Sequence, residues 1–359
     1  MWLLKINMSI PKRTVELILF VILLAGCPDG ALHRQLISNK FVGHNPSEIL
    51  FRSTPPMSYI TVTNDNFVDV DVYYGQRINV GNQPVGIALW EEGNRLYVIN
   101  NAGLSISVIA LSNDTLGRVD SVVDSITNTS FHNMGDAIVT ADGRYLYVAT
   151  DTNAVSVIST TTDKVVTTFT DPSFNYPAHL VADALNRYVF VSESRGNAVS
   201  VISTATNTVV KTIGVGISPN GMTETTDGNW LFVVNSGSNS ISVINTNSLT
   251  VARTVTDTSF DNPQRIALAP ECAYGFISEY NSGNISLISQ NALINGSGRA
   301  VVEDILVGNR PSDVAIEYYN IANEAGSEVF GNVIVVLKGE DVLADIDYAL
   351  ISEIHNVCF

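Results

Sequence analysis

The chain has 359 residues, 15% of them charged, and a formal net charge of −16. An acidic surplus of that size repels phosphate backbones and anionic lipid, which excludes nucleic acid as a routine partner and electrostatic adsorption to a membrane. Three cysteines are too few for a disulfide-built scaffold.

In chain order, the first element is an export signal. Lys12 and Arg13 form a basic region, Leu17 to Leu24 is an apolar run of eight residues, and Leu24-Ala25-Gly26-Cys27 matches the bacterial lipobox. The run is too short to span a bilayer and has the layout of a cleaved signal. Met8 is a plausible true start. Residues 1–26 are therefore expected to be a lipoprotein signal peptide, with Cys27 as the lipidation site. Residues 27–46 would be a tether, and residues 47–359 the folded domain. Cleavage removes Lys5, Lys12, Arg13 and Glu16 and leaves a mature net charge of −18. The expected address is the cell envelope, at the outer membrane, periplasm or cell surface, with attachment by acyl chain alone. The acidic surface itself reads as a solubility device for a β-rich monomer.

The next elements repeat. A degenerate copy runs from Glu48-Ile49-Leu50 through Ile60 to Asn64, Val68 to Val72 and Gln76 to Val80. Six clearer copies open at Pro84, Met134, Pro177, Pro219, Pro263 and Pro311, at spacings of 50, 43, 42, 44 and 48 residues. The first five carry a hydrophobic aromatic run such as Leu96-Tyr97-Val98-Ile99-Asn100 or Leu231-Phe232-Val233-Val234-Asn235. A second run follows, such as Ser107-Val108-Ile109 or Ser242-Val243-Ile244. The last copy is degenerate, with Val333 to Leu337 and Val342 to Ile346. The apolar residues are β-branched or aromatic and alternate over short runs bounded by turn clusters such as Asp142-Gly143 and Asp227-Gly228, the pattern of strands. In the copy at Pro219 the strands are expected near Gly221 to Glu224, Leu231 to Asn235, Ile241 to Asn245 and Thr250 to Val255. Four antiparallel strands per copy of this length predict an all-β fold, a seven-bladed β-propeller. The end copies are degenerate, as expected where a ring must close. The residues leave open whether closure exchanges a strand between the termini.

The Tyr-Val-x-Asn and Ser-Val-Ile pair, with Pro-x-Gly opening a copy and Asp-Gly before the second strand, resembles the YVTN-repeat β-propeller family over about residues 47 to 353. That family includes archaeal surface-layer and bacterial envelope proteins, and its repeat is similar to that of propeller lactonases and of the haem d1 domain of nitrite reductase. The resemblance implies a fold and a compartment. It does not imply a reaction.

No serine-hydrolase elbow, zinc-protease helix, haem-attachment or phosphate-loop motif is present, and none of the five histidines sits at metal-ligand spacing. No cofactor or metal is expected. Asp69 and Asp71 alternate with valines and read as the wet face of a strand. Cys272 and Cys358 are expected on opposite faces of the disc, too far apart for a bridge. The better lead is the second residue after each blade-opening position: Glu48, Gly86, Asp136, His179, Gly221, Arg265 and Asp313. At the start of the innermost strand these seven would ring one mouth of the channel, and loops on the same face would add Asp151, Glu193, Arg195, Glu279 and Lys338. Convergent charge at a concave mouth is what a polar ligand site looks like. The plainer reading is a solvent-filled mouth whose opposite charges neutralise one another. The junction phenylalanines Phe131, Phe174 and Phe260 read as packing between blades. The functional expectation is a lipid-anchored binding or scaffold module for a small polar ligand or an envelope protein. The alternative is a lactonase-like hydrolase at the channel mouth.

Overall fold

The computed structural model of the chain describes residues 37–41, 45–53, 56–70, 76–112, 120–150, 153–269, 273–323, 326–338 and 342–347. The expected signal peptide, Cys27, Asp71, Asp151, Cys272 and Cys358 lie outside them. Among the described residues no helix is long and apolar enough to cross a membrane.

The strands form seven four-stranded antiparallel sheets, a seven-bladed β-propeller. Blades 1 to 7 open with strands Pro46–Ser53, Pro84–Trp90, Met134–Val139, Pro177–Ala182, Pro219–Glu224, Pro263–Leu268 and Pro311–Asn323. Blade 5 serves as the pattern, with Pro219–Glu224, Trp230–Asn235, Ser240–Asn245 and Thr250–Thr256 in sequence from the channel outwards. The expected strands fall inside these limits. One short helix, Gln290–Asn295, replaces the turn between the third and fourth strands of blade 6. Ser289 caps its start, and Gly296, in the left-handed region at φ 70°, ends it.

The core explains the uniform hydrophobicity of the second strand. In blade 2, Leu96 and Val98 pack against blade 1, while Tyr97 and Ile99 pack against blade 3. Blade 5 repeats this: Leu231 and Val233 join blade 4, and Phe232 and Val234 join blade 6. Successive strand residues point to opposite faces, and both faces of a blade are covered, so every position must be apolar. The described apolar core is therefore seven layers, one between each pair of neighbouring blades, including the pair formed by blades 7 and 1. Burying a single Leu or Val side chain this fully contributes roughly 1.5–3 kcal/mol.

The tyrosine of the repeat adds a polar tie. Its hydroxyl donates to the turn between the third and fourth strands of the next blade: Tyr59 to Asp120 at 3.2 Å, Tyr97 to Asp163 at 3.3 Å, and Tyr147 to Asn207. Phe131, Phe174 and Phe260 are buried in the layers between blades 2 and 3, 3 and 4, and 5 and 6, as packing predicts.

Two sequence expectations change. Ile37–Phe41, expected in the tether, is the outermost strand of blade 7, pairing antiparallel with Val342–Ile346. The ring is closed by a strand exchanged from the N-terminal side of the chain, so residues 37–41, and Pro46 at the start of blade 1, belong to the propeller and not to the expected tether. Asp69 is not on a wet face but buried, 4% exposed, with Arg77 Nε 3.9 Å away. It lies on the third strand of blade 1, Phe67–Val70, which is covered on both sides like the third strands elsewhere.

Candidate functional site

The seven ring positions share one local distortion. In every blade the register between the first and second strands shifts just after the opening residue, for example between Pro46 and Glu48, Met134 and Ala137, and Pro311 and Asp313. Such a bulge re-aims a side chain. Here it turns the ring residue towards the first strand of the next blade.

Four ring residues accept a backbone N–H from that neighbour. Glu48 Oε2 takes Ile87 N at 2.9 Å, Asp136 Oδ2 takes Leu180 N at 2.7 Å, His179 Nδ1 takes Met222 N at 3.3 Å, and Asp313 Oδ2 takes Ile49 N at 2.9 Å. The second oxygens of Asp136 and Asp313 accept Ala137 N and Val314 N, both from the following residue of their own strand. The result is a belt of side-chain clasps joining consecutive blades around the channel. The last of them, from Asp313 to Ile49, spans the seam between blade 7 and blade 1. A clasp on an ionised carboxylate is worth about 1.5–3 kcal/mol, and the neutral one on His179 about 0.5–1.5 kcal/mol.

At the two glycine positions the blades approach closely, tightly at Gly86, where a Cβ would lie 3.1 Å from the Gly135 backbone oxygen, and too closely for any side chain at Gly221. A Cβ on Gly221 would lie 2.5 Å from the backbone oxygen of Gln264. Gly221→Ala is therefore expected to destabilise the fold by roughly 1–3 kcal/mol through overpacking. Gly214→Ala, with nothing within 4 Å of the added carbon, should leave the melting temperature nearly unchanged. Equal melting temperatures for the two variants would contradict the close approach.

Arg265 does not clasp. It is half-buried and donates from Nη1 to Asn220 Oδ1 at 2.6 Å, with Nε 4.0 Å from Asp313 Oδ1. Asn220 Nδ2 in turn donates to Gln264 Oε1 at 2.8 Å. These amides, one residue after the blade-opening proline, were not singled out from the sequence. The signal was their position beside Arg265 in the copy alignment. His179 Nε2 stands 3.7 Å from Asp136 Oδ2.

The electrostatics follow from burial and crowding. Burial pushes the Glu48 carboxyl well above its ordinary range, and Asp136 and Asp313 add repulsion. Asp136 is raised to about 6, burial outweighing the attraction of Arg265. Asp313 is raised by burial as well, against the pull of Arg265. Burial, assisted by Arg265, holds His179 well below its ordinary value, so the ring is neutral. Because its Nδ1 accepts a backbone N–H, the proton of that neutral ring sits on Nε2.

The loop candidates separate from the ring. Glu193 and Glu279 are fully enclosed. Each ends a second strand, at the position held by Asn100 and Asn235 in blades 2 and 5. All four serve one purpose, tying down the loop that arrives from the preceding blade or the adjoining third strand. Glu193 accepts Asn175 N at 2.7 Å, Glu279 accepts Asp261 N at 2.8 Å, and Asn235 accepts Gly216 N at 3.1 Å. Asn100 and Asn235 also donate to the serine of the third strand, Ser107 and Ser242. The asparagine of the repeat therefore goes with the tight junctions Val80-Gly81 and Val215-Gly216, where a Cβ on the glycine would lie 2.6 Å from the asparagine Cγ. The longer glutamate goes with Ser173-Phe174 and Ser259-Phe260. Burial raises Glu193 to about 7 and Glu279 to about 8. Arg195 and Lys338 are exposed on the rim, and the Arg195 guanidinium lies over the Tyr176 ring at 4.2 Å.

The structure thus brings Glu48, Asp136, His179, Arg265 and Asp313 together at one mouth and leaves Glu193, Glu279 and Arg195 apart from them. Among the described residues no group of three or more His, Cys, Asp or Glu side chains is gathered for a metal. What remains at the mouth is a small set of hydrogen-bond donors on Arg265, Asn220 and His179 Nε2, while Gln264 is tied by its amide to Asn262.

No family model matches the chain, and no curated protein matches it in sequence. In three dimensions it is similar to Kuenenia stuttgartiensis hydrazine synthase, with a TM-score of 0.70 over 85% of this chain and 96% of that chain, at 18% sequence identity. At that identity the likeness is one of fold, and what it establishes is the β-propeller architecture.

Proposed function

We propose that this chain is a lipid-anchored, extracytoplasmic binding or scaffold module of YVTN-repeat type. It engages a small polar ligand or an envelope protein at the channel mouth and performs no chemistry there. The observation that carries this reading is the use already made of the ring's basic atoms. Both oxygens of Asp136 and of Asp313 hold backbone N–H groups, and the one free lone pair of the His179 imidazole does the same. A lactonase-type hydrolase needs a base in reach of substrate or of metal-bound water. Here the groups of suitable chemistry fasten one blade to the next, Glu48 through one of its two oxygens. Arg265 and Asn220 can still donate to a polar guest, whereas the Gln264 amide is held by Asn262.

The test is a native mass spectrometry screen of the purified protein against small polar metabolites, followed by titration of each hit. Arg265→Ala is expected to weaken binding about tenfold, the loss of one charge-assisted hydrogen bond. Glu92→Gln, an exposed carboxylate on the opposite face, should bind as wild type does. Equal affinity in both variants removes the mouth as the site. Turnover of a lactone that disappears in His179→Ala would replace binding by hydrolysis.

A further inference from the structure

We infer that the mouth takes a small uncharged polyhydroxyl compound, a monosaccharide or polyol, and selects against anions and cations of the same size. This rests on the reading of the mouth as a binding site and adds to it the chemical class of the guest. The first observation is the balance of donors and acceptors left once the blades are fastened. Among the described contacts Arg265 commits one of its five side-chain N–H groups, from Nη1 to Asn220 Oδ1. Asn220 Nδ2 commits one of its two, to Gln264 Oε1. The Nε2–H of His179 stands 3.7 Å from Asp136 Oδ2, beyond hydrogen-bond reach. Acceptors are scarcer. Both oxygens of Asp136 and of Asp313 are taken by backbone N–H groups. Glu48 accepts Ile87 N through Oε2, and its Oε1 has no partner among the described residues.

Accessibility follows the same division. The Arg265 side chain keeps 23% of its surface and His179 15%, whereas Asp136 and Asp313 keep 5% and 9%. A guest at the mouth meets N–H groups first.

The second observation is the charge. After burial, the attraction of Arg265 acts on Glu48, Asp136 and Asp313 alike, so one guanidinium is the shared counter-ion of three carboxyl groups. Asp136, raised to about 6, is ionised at pH 7.5 and already balances Arg265. The other two carboxyls can only add negative charge, and His179 is neutral. An anionic guest would find donors but no net attraction, with like charge across the mouth. A cation would meet Arg265 and a row of N–H groups, with a single free oxygen to accept from it. A hydroxyl group suits both sides, since it can accept from Arg265, Asn220 or His179 and donate to Glu48. Several hydroxyls on one carbon frame repeat that match, and an uncharged guest gives up less hydration on entry.

The test is isothermal titration of the full chain at pH 7.5 with matched compounds. Sorbitol is compared with its acid gluconate and its amine glucamine, glucose with glucuronate, and galactose with galacturonate. At least one neutral compound is expected to bind, and its charged counterparts to bind about tenfold or more weakly. Arg265 clasps no blade, so Arg265→Ala should fold and should weaken the neutral compound about tenfold. Glu48→Gln keeps an oxygen for Ile87 N and removes a carboxylate, so the preference over the acid should narrow to about threefold or less. An acid or amine that binds as tightly as its neutral counterpart, and loses affinity in Arg265→Ala, overturns the class and leaves the mouth as the site. A preference that is unchanged in Glu48→Gln overturns the charge selection. Neutral compounds that bind equally well to Arg265→Ala overturn the mouth as the site and this proposal together. No binding by any neutral compound overturns this proposal alone, and the wider metabolite screen then decides the mouth.

Discussion

A chain that starts after Phe41 is expected to lose the soluble ring and become aggregated or rapidly digested. A chain that starts at residue 34 should remain as protease-resistant as the longer one. The difference is the five-residue ladder Ile37–Phe41 with Val342–Ile346. At about 0.5–1.5 kcal/mol net per hydrogen bond, a ladder of about five contributes roughly 3–7 kcal/mol, comparable with the whole stability of an ordinary domain. Its removal also leaves Val342–Asp347 as an unpaired edge, a template for association with other chains. Limited proteolysis and size-exclusion chromatography of the two truncations decide the matter. Equal resistance would mean that the ring closes without the exchanged strand.

The second large effect is an unusual dependence of stability on pH. Glu193 and Glu279 are enclosed, and burial lifts them to about 7 and about 8 from an ordinary value near 4.5. A folded-state value above the unfolded one means that the native chain holds protons the unfolded chain has already released. Stability is then complete below about pH 4.5 and falls as pH rises towards the folded values. At about 1.4 kcal/mol per pH unit, Glu279 alone removes on the order of 3–5 kcal/mol between pH 4.5 and pH 9. Asp227 works in the other direction. Hydrogen bonds from Thr225 and Asn229 hold it low, and its contribution is lost only as the solution is acidified below the ordinary aspartate range. The melting temperature should therefore be higher at pH 5.5 than at pH 8.5.

Glu279→Gln should flatten that slope without unfolding the protein. The side-chain oxygen of glutamine can still accept Asp261 N, and its amide can face Ser286 as Asn100 faces Ser107. A wild-type melting temperature that is level or rises over this range, or a variant that follows wild type, would show that the carboxylate is not the cause. The same comparison explains why the repeat tolerates either Asn or Glu at the end of the second strand. Each holds a junction of different length, and only the glutamate brings a proton with it.

The sequence by itself determined the architecture. The copies opening at Pro84, Met134, Pro177, Pro219, Pro263 and Pro311 are the first strands of six blades, because a blade covered on both sides must keep its central strands apolar at every position. The buried junction phenylalanines followed from the same requirement. Tertiary structure alone decided three matters. The strand that closes the ring pairs across some 300 residues of sequence, with no local pattern to mark Ile37–Phe41 as its source. Glu193 and Glu279 occupy the asparagine position of the repeat, and their role depends on the length of a loop from another blade, so they looked like rim charges and are buried anchors. The ring residues sit on a bulge, and a bulge resets the alternation from which the facing of a strand side chain is read. Glu48, Asp136, His179 and Asp313 therefore reach the neighbouring backbone, and Arg265 with Asn220 is left with donors to spare. Spacing places residues at a mouth; which of their atoms are still free is set by the hydrogen bonds the next blade makes with them.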